Sequence, residues 1–130
     1  MTAPASNSVS AIANELVAMC RAGRNEDAIT KFYSSDIVSI ESAGSDEMPA
    51  EMTGIDAIRG KNKWWVENNE VHSAEVNGPF VAGEQFAVHY VYDTTFKPAG
   101  RRMKMDEMAL YTVEEGKIVR EQFFYNAPNT

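Results

Sequence analysis

The hydrophobic pattern of this chain changes once, near residue 70, and that change limits the possible fold more than any other feature. Before it, apolar residues recur at helical spacing in three segments, which are 9–20, 25–33 and 55–69. After it, short runs rich in β-branched and aromatic residues predict strands at 71–81, 85–96, 102–113 and 117–125. A shorter strand is predicted at 36–42. Because helices come first and strands follow, the order predicts an α+β domain with an antiparallel sheet.

Turn and capping residues mark the ends of these elements. Ser8 is placed to cap the first helix, Gly23 to end it, and Asn25 to cap the second helix. Residues 43–53 contain Gly, Pro and acidic residues without any periodicity, and they predict a flexible loop. Gly78-Pro79 interrupts the first long strand, where a bulge or bend is expected.

Composition narrows the class of protein. The net charge of −7 and the pI of about 4.8 argue against nucleic-acid binding, which needs a basic surface. Cys20 is the single cysteine, so no intramolecular disulfide is possible. No apolar stretch approaches the length of a membrane span, and no signal peptide is recognisable. We therefore expect a cytoplasmic protein with one domain over residues 8–130, a disordered segment at residues 1–7, and no nucleic-acid or membrane partner.

Several local sequences, taken in order, resemble the SnoaL-like branch of the superfamily that includes nuclear transport factor 2 and ketosteroid isomerase. They are Arg21-Ala22-Gly23, Phe32-Tyr33, Asp36 to Glu41, Gly54 to Arg59, and Gly116 to Val119. The resemblance covers residues 9–126 and implies a cone-shaped, cystatin-like α+β fold. In that fold about three N-terminal helices pack on a curved antiparallel sheet and enclose a pocket. The resemblance also implies a homodimer formed through the outer face of the sheet.

Strand alternation alone leaves open which sheet face is the inner one, because both faces are fairly apolar. If the last hairpin turns at Glu115-Gly116, Val113 lies opposite Ile118, and Leu110 lies opposite Glu121. The resemblance then selects the inner face. That face carries Asp106, Met108, Glu121, Phe123 and Tyr125, and on strand 85–96 it carries His89, Val91 and Asp93. The outer face, left for a second subunit, carries Ala109, Tyr111, Gln122 and Phe124.

Three residues are candidates for acid–base chemistry. Glu41 lies where the resemblance places the general base of ketosteroid isomerases, and a carboxylate at an apolar wall is a stronger base than one in water. His89 stands among apolar neighbours and is a candidate to stabilise an oxyanion, with Glu121 orienting its ring. Two of them have a structural alternative, in which Glu41 is a solvated strand end and His89 is a core histidine bonded to a carboxylate.

The remaining candidates would contact a substrate. Tyr33, Trp65 and Tyr125 are candidates for the pocket wall or mouth, with plain core packing as the alternative. Val91, Asp93, Asp106, Met108 and Phe123 complete the predicted lining. Ketosteroid isomerases stabilise an enolate with a tyrosine of the first helix and an inward aspartate, but Leu16 and Met108 stand at those positions here. The resemblance therefore does not extend to steroid isomerisation, and the two histidines lack metal-ligand spacing.

Two classes of function fit these candidates. The first is a cofactor-free acid–base enzyme, of isomerase, cyclase or lyase type, that acts on a small or medium apolar carbonyl compound. Its catalytic residues would be Glu41, His89 and Glu121. The second is a protein without enzymatic activity, either a module that binds an apolar ligand or a dimeric interaction domain. In both classes the expected partners are a small apolar molecule and a second copy of the chain, and neither class requires a metal or cofactor.

Overall fold

In the computed structural model, which describes residues 8–46 and 48–126, the chain forms three α-helices and six strands. The helices are α1 (Val9–Arg21), α2 (Asn25–Phe32) and α3 (Ile55–Asn68). The strands are β1 (Tyr33–Ile40), β2 (Glu51–Thr53), β3 (Asn69–Ala82), β4 (Gln85–Phe96), β5 (Arg101–Glu114) and β6 (Lys117–Phe124). None of these described helices has the length and apolar character needed to cross a bilayer. The cytoplasmic location stays a prediction, and the expected disorder of residues 1–7 lies outside the described residues.

The six strands form a single sheet in the order β2-β1-β6-β5-β4-β3. Strands joined by short turns pair antiparallel, as such turns require. β1 and β6 pair parallel, so the expectation of a fully antiparallel sheet is wrong at this pair. These two strands are far apart in the chain, and no hairpin sets their relative direction. The predicted α+β class, with helices packed on one sheet, is confirmed.

The helices cover one face of the sheet, called the inner face below, and the core lies between them. α1 packs against β3 and β4 and buries Ile12, Leu16 and Val17. On the sheet side, Phe86 and Val88 are equally inaccessible to solvent. Burying a side chain of this kind contributes roughly 1.5–3 kcal/mol, so this cluster holds α1 on the sheet.

The ends of the first two helices follow from local signals. Ser8 caps α1 as predicted, because its Oγ accepts a hydrogen bond from the backbone N–H of Ala11 at 3.0 Å. Gly23 follows α1 with a φ of 74°, a conformation that favours glycine after a helix. The prediction that Asn25 caps α2 is wrong. Asn25 is the first residue of that helix, and its side-chain amide donates to Sγ of Cys20 at 3.6 Å.

Two segments were predicted to be irregular, and the structure contradicts one of these predictions in part and confirms the other. Residues 43–53 do not form a loop throughout, because their last residues form β2, which pairs with Val38 to Ile40 of β1. Gly78-Pro79 interrupts the pairing of β3 with β4, as its composition predicts. β1 also begins earlier than predicted, since Tyr33 already pairs with Ile118 of β6.

A bulge in β6 sets which residues of β5 point inward. The last hairpin turns at Glu115-Gly116 as predicted, with positive φ angles of 50° and 76° that suit a tight two-residue turn. Val113 pairs with Ile118, also as predicted. The register then shifts, because the next paired residue of β6 is Arg120 and Val119 is left over.

Beyond this bulge, Glu121 lies opposite Tyr111 rather than Leu110. Because side chains alternate along a strand, the shift by one residue reverses the predicted orientation of every side chain of β5. β4 pairs with β5, so the predicted orientations of its side chains are reversed as well. The prediction of an inward orientation is therefore wrong for His89, Val91, Asp93, Asp106 and Met108. The prediction of an outward orientation is wrong for Ala109 and Tyr111, both of which are buried.

Candidate functional site

A cavity of about 1300 Å³ lies between the helices and the inner face of the sheet. Usual small-molecule sites have roughly 300–1,000 Å³, so this cavity is large. Its wall is mostly apolar, and part of it is aromatic. Trp65 packs against Tyr92 with ring centroids 5.5 Å apart, and Tyr92 stacks on Tyr90 at 5.9 Å. Within this wall lies a polar cluster, which consists of Ser39, Glu41, Lys61, Glu107 and Glu121.

Glu121 is the most deeply buried carboxylate of the polar cluster, with only 3% of its surface exposed. Its Oε1 accepts a hydrogen bond from the hydroxyl of Tyr33, and its Oε2 accepts one from Ser39 Oγ at 2.7 Å. Burial raises the pKa of Glu121, while the positive charge of Lys61 and the two hydrogen bonds oppose that rise. Ser39 and Glu121 meet because they are partners across the parallel pairing of β1 with β6.

Lys61 connects this buried carboxylate to a second one. From α3, its Nζ donates to Ser39 Oγ at 2.6 Å and to Glu41 Oε2 at 2.8 Å. The hydroxyl of Tyr125 donates to the other oxygen of Glu41 at 2.9 Å. The side chains of Lys61 and Glu41 are 16% and 22% exposed, so the ion pair lies in the cavity wall rather than on an open surface. A continuous chain of hydrogen bonds thus runs from Glu121 to Tyr125.

Glu107 is the third carboxylate, and its surroundings differ from those of the other two. It lies on the inner face of β5, directly across from Tyr90 of β4. The pKa of Glu107 is raised from its ordinary value of 4.5 to about 7, mainly by burial; the negative charges of Glu41 and Glu121 contribute to the rise, and the positive charge of Lys61 opposes it. A carboxyl group that titrates near neutral pH is suited to take up and release protons.

Phenol and thiol groups lie beside the polar cluster. The hydroxyls of Tyr90 and Tyr111 are 2.7 Å apart, and Cys20 Sγ is 3.7 Å from the hydroxyl of Tyr90. Burial raises the pKa of both tyrosines, which keeps them neutral and able to donate a hydrogen bond. Burial also raises the pKa of the Cys20 thiol, which disfavours the reactive thiolate.

Six of the predicted site residues line the cavity. They are Tyr33, Glu41, Trp65, Glu121, Phe123 and Tyr125. Their roles in catalysis or binding stay predictions. The other five predicted residues, His89, Val91, Asp93, Asp106 and Met108, lie on the outer face.

His89 in particular cannot act inside the cavity. Its Nε2 lies 2.6 Å from Oδ1 of Asp106 and its Nδ1 lies 3.2 Å from the side-chain nitrogen of Asn77, both on the outer face. Asp93, on the same face, accepts two hydrogen bonds from Arg102, which lower the pKa of its carboxyl group. The predicted contact between His89 and Glu121 does not form, since the two side chains point to opposite faces of the sheet.

Three residues of the polar cluster were not predicted, and two of them had a signal in the sequence. Ser39 is two residues before Glu41 in the predicted strand 36–42, so alternation places both on the same face. Lys61 follows Ile58 by three residues, a spacing that places both on one side of α3. Glu107 had no such signal, because the bulge at Val119 reverses the orientation that an unbroken hairpin implies.

No three His, Cys, Asp or Glu side chains within residues 8–46 and 48–126 are arranged to hold a metal ion. The three helices on one mixed sheet, with a cavity between them, define an α+β protein of the cystatin-like class. A family model of the SnoaL-like domain matches residues 7–125. The chain therefore belongs to the SnoaL-like family.

Solved structures agree with this assignment. A protein from Mesorhizobium loti, whose description gives both a SnoaL-like polyketide cyclase and a carbohydrate phosphatase, is 41% identical over 91% of this chain and 99% of that one, with a TM-score of 0.86. A cystatin-like protein from Xanthomonas campestris is 16% identical over 92% of each chain, with a TM-score of 0.74. A protein from Catenulispora acidiphila with a ketosteroid isomerase-like fold, in complex with trimethylamine, is 23% identical over 88% of this chain and 84% of that one, with a TM-score of 0.68. A comparison with curated proteins gave no match.

Proposed function

We propose that the protein is a cofactor-free acid–base enzyme of isomerase or cyclase type that acts on an apolar carbonyl compound. The observation that carries the proposal is Glu107, a carboxyl group with a pKa of about 7 in a large and mostly apolar cavity. The description of the Mesorhizobium loti relative as a polyketide cyclase supports the same class of chemistry.

In the proposed reaction, Glu107 removes a proton from a carbon next to the substrate carbonyl. The electron pair of the C–H bond forms a carbon–carbon double bond, and the π pair of the carbonyl moves onto its oxygen. In an isomerisation, Glu107 then returns the proton to another carbon. In a cyclisation, the enolate carbon attacks a second carbonyl of the same molecule, and the proton goes to the new alkoxide. Either sequence balances without a cofactor.

Glu107 replaces Glu41 as the proposed base. Both oxygens of Glu41 already accept hydrogen bonds, one from Lys61 and one from Tyr125. A substrate proton would therefore have to compete with these two donors for the oxygens of Glu41. The pKa of Glu107 is shifted by burial and by neighbouring charges, and no hydrogen bond to its carboxyl group contributes to the shift.

Solvent-deuterium exchange tests the proposal. We expect the protein to catalyse exchange at the carbons beside the carbonyl of bicyclic ketones such as 2-tetralone, followed by proton NMR in deuterium oxide. Because the base must be ionised, the rate should rise tenfold per pH unit below about pH 7 and level off above it. The exposed Glu114→Gln variant, on the same strand, is the matched control for the profile. Saturable ketone binding without any exchange would instead support the non-catalytic alternative.

We also propose a homodimer formed through the outer face of the sheet. Met108 and Phe124 are direct partners across β5 and β6, and they are 39% and 48% exposed. Two large apolar side chains side by side on a sheet face favour contact with the same patch of a second copy.

Sedimentation velocity tests the dimer. We expect the unmodified chain to sediment as a dimer and Phe124→Glu to sediment as a monomer, because the new charge would be desolvated at the contact. The control is Ala18→Glu, an exposed position on α1 and therefore on the opposite side of the sheet. A strictly monomeric unmodified protein at micromolar concentration would contradict the proposal.

A further inference from the structure

Lys61 has one hydrogen-bond donor more than its protein partners use. A lysine ammonium group carries three N–H donors. Two of them are directed to Ser39 Oγ and Glu41 Oε2, at 2.6 and 2.8 Å. No third acceptor for Lys61 is found within the described residues, and the side chain lines the cavity.

The position of the ammonium group is unusually well fixed. Its acceptor Ser39 is fully buried and is itself held by donating to Glu121 at 2.7 Å. Phe123 packs beneath the charge, with its ring centroid 5.3 Å from Nζ. A lysine on an open surface would move among many rotamers, whereas these contacts from β1 and β6 hold Nζ at one point of the wall.

We propose that Lys61 is the oxyanion-binding residue of the cavity, whose third N–H donates to the negatively charged oxygen of an enolate or phenolate. Ser39 and Glu121 act as positioning residues, because they orient Lys61 without reaching the ligand. This inference deepens the proposed function and names the ligand class. The ligand is an uncharged apolar molecule that becomes anionic at one oxygen inside the site.

The charges of the cluster favour such a ligand over a permanent anion. Glu41 already pairs with Lys61, and the ionised form of Glu107 that acts as the base adds a second negative charge, so a ligand that arrives with its own carboxylate meets net repulsion. In the proposed proton transfer, negative charge leaves Glu107 as it appears on the ligand oxygen. The total charge of the site then stays constant, and the new anion lies beside a pre-oriented cation in a partly desolvated wall, where such an interaction is strong.

Binding of para-nitrophenol tests the assignment without any carbon–hydrogen chemistry. Its phenolate is identified by visible absorbance, and the measurement is made in a Glu107→Gln background so that the base does not compete with the anion. We expect Lys61→Met in that background to weaken phenolate binding about tenfold or more, as expected for loss of a charge-assisted hydrogen bond. In the protein that carries Lys61→Met, bound para-nitrophenol should also ionise at a higher pH than in the protein that keeps Lys61. Para-nitroanisole, which cannot ionise, should bind both proteins equally.

Two further variants separate positioning from charge and from misfolding. Lys61→Gln keeps a polar side chain of similar length and should lose phenolate binding as Lys61→Met does. Ser39→Ala keeps the lysine charge, and it should weaken phenolate binding by a smaller factor while leaving para-nitroanisole binding unchanged. Phenolate affinity that is equal with and without Lys61, or absent from the Glu107→Gln protein, would overturn the assignment. A failure of deuterium exchange alone would count against the proposed function and leave the oxyanion site standing.

Discussion

Glu107→Gln should yield a protein that is a much slower catalyst and yet a more stable fold. The rate of deuterium exchange should fall by roughly 10²- to 10⁴-fold, the usual contribution of a positioned general base. The loss occurs because an amide cannot accept the proton. The exchange rate at saturating ketone, compared with that of the unmodified protein, measures the effect.

The difference in stability between Glu107→Gln and the unmodified protein should grow in favour of the variant as pH rises. In the fold the pKa of Glu107 is about 7, above its ordinary value of 4.5. The folded state therefore binds the proton more tightly, and the unmodified protein loses stability as pH rises from about 4.5 to 7. Since one pKa unit corresponds to about 1.4 kcal/mol, the full difference is about 3 kcal/mol above pH 7. Glutamine removes this pH dependence.

Urea denaturation at about pH 4 and about pH 8 measures the change in the free energy of unfolding. The two proteins should differ little at the lower pH, and the variant should be more stable by up to about 3 kcal/mol at the higher pH. Glu114→Gln is the control, because an exposed carboxyl on the same strand has no burial to relieve. A variant that is less stable at pH 8 would contradict the burial of Glu107, and a variant that is equally active would contradict its role as the base.

The order of helices and strands could be predicted from the sequence because it depends on local periodicity. The spacing of Ile12, Leu16 and Cys20 predicts α1, and residues 85–96 predict β4 with its observed ends. The joint order of short motifs, through the resemblance, predicts how these elements pack. Neither source reveals that β1 and β6 are parallel, since that pairing joins residues distant in the chain.

The inward or outward orientation of the candidate site residues was predicted correctly only where the predicted strand pairing has the observed register. Glu41 and Glu121 lie in the cavity wall as expected, and so does Tyr125. His89 lies on the outer face and Glu107 on the inner face, the reverse of what an unbroken hairpin implies, because one surplus residue in β6 shifts all pairing beyond it. A bulge of this kind adds a single residue with no special composition, so alternation alone does not detect it. The chemistry of the site therefore depends on a feature that periodicity cannot resolve.

Glu121→Ala should destabilise the fold by about 2–6 kcal/mol, because two buried hydroxyls each lose their acceptor at a cost of roughly 1–3 kcal/mol. The substitution leaves Tyr33 and Ser39 without the acceptor that each now uses, in surroundings where Glu121 is 3% exposed. Urea denaturation at neutral pH measures the loss.

Two comparisons show whether the hydrogen bonds or the charge of Glu121 carry this stability. Glu121→Gln keeps the size of the side chain and one of its two acceptor oxygens, and it should cost about 1–3 kcal/mol, because either Tyr33 or Ser39 then faces an amide N–H in place of an acceptor. Glu114→Ala, at an exposed position, should change stability by no more than about 0.5 kcal/mol. A large loss in Glu121→Gln, equal to that of alanine, would mean that both carboxylate oxygens, together with their charge and its attraction to Lys61, are needed to hold β1, β6 and α3 together. A small loss with glutamine means instead that Glu121 acts as an acceptor, which orients Ser39 and, through it, the ammonium group of Lys61.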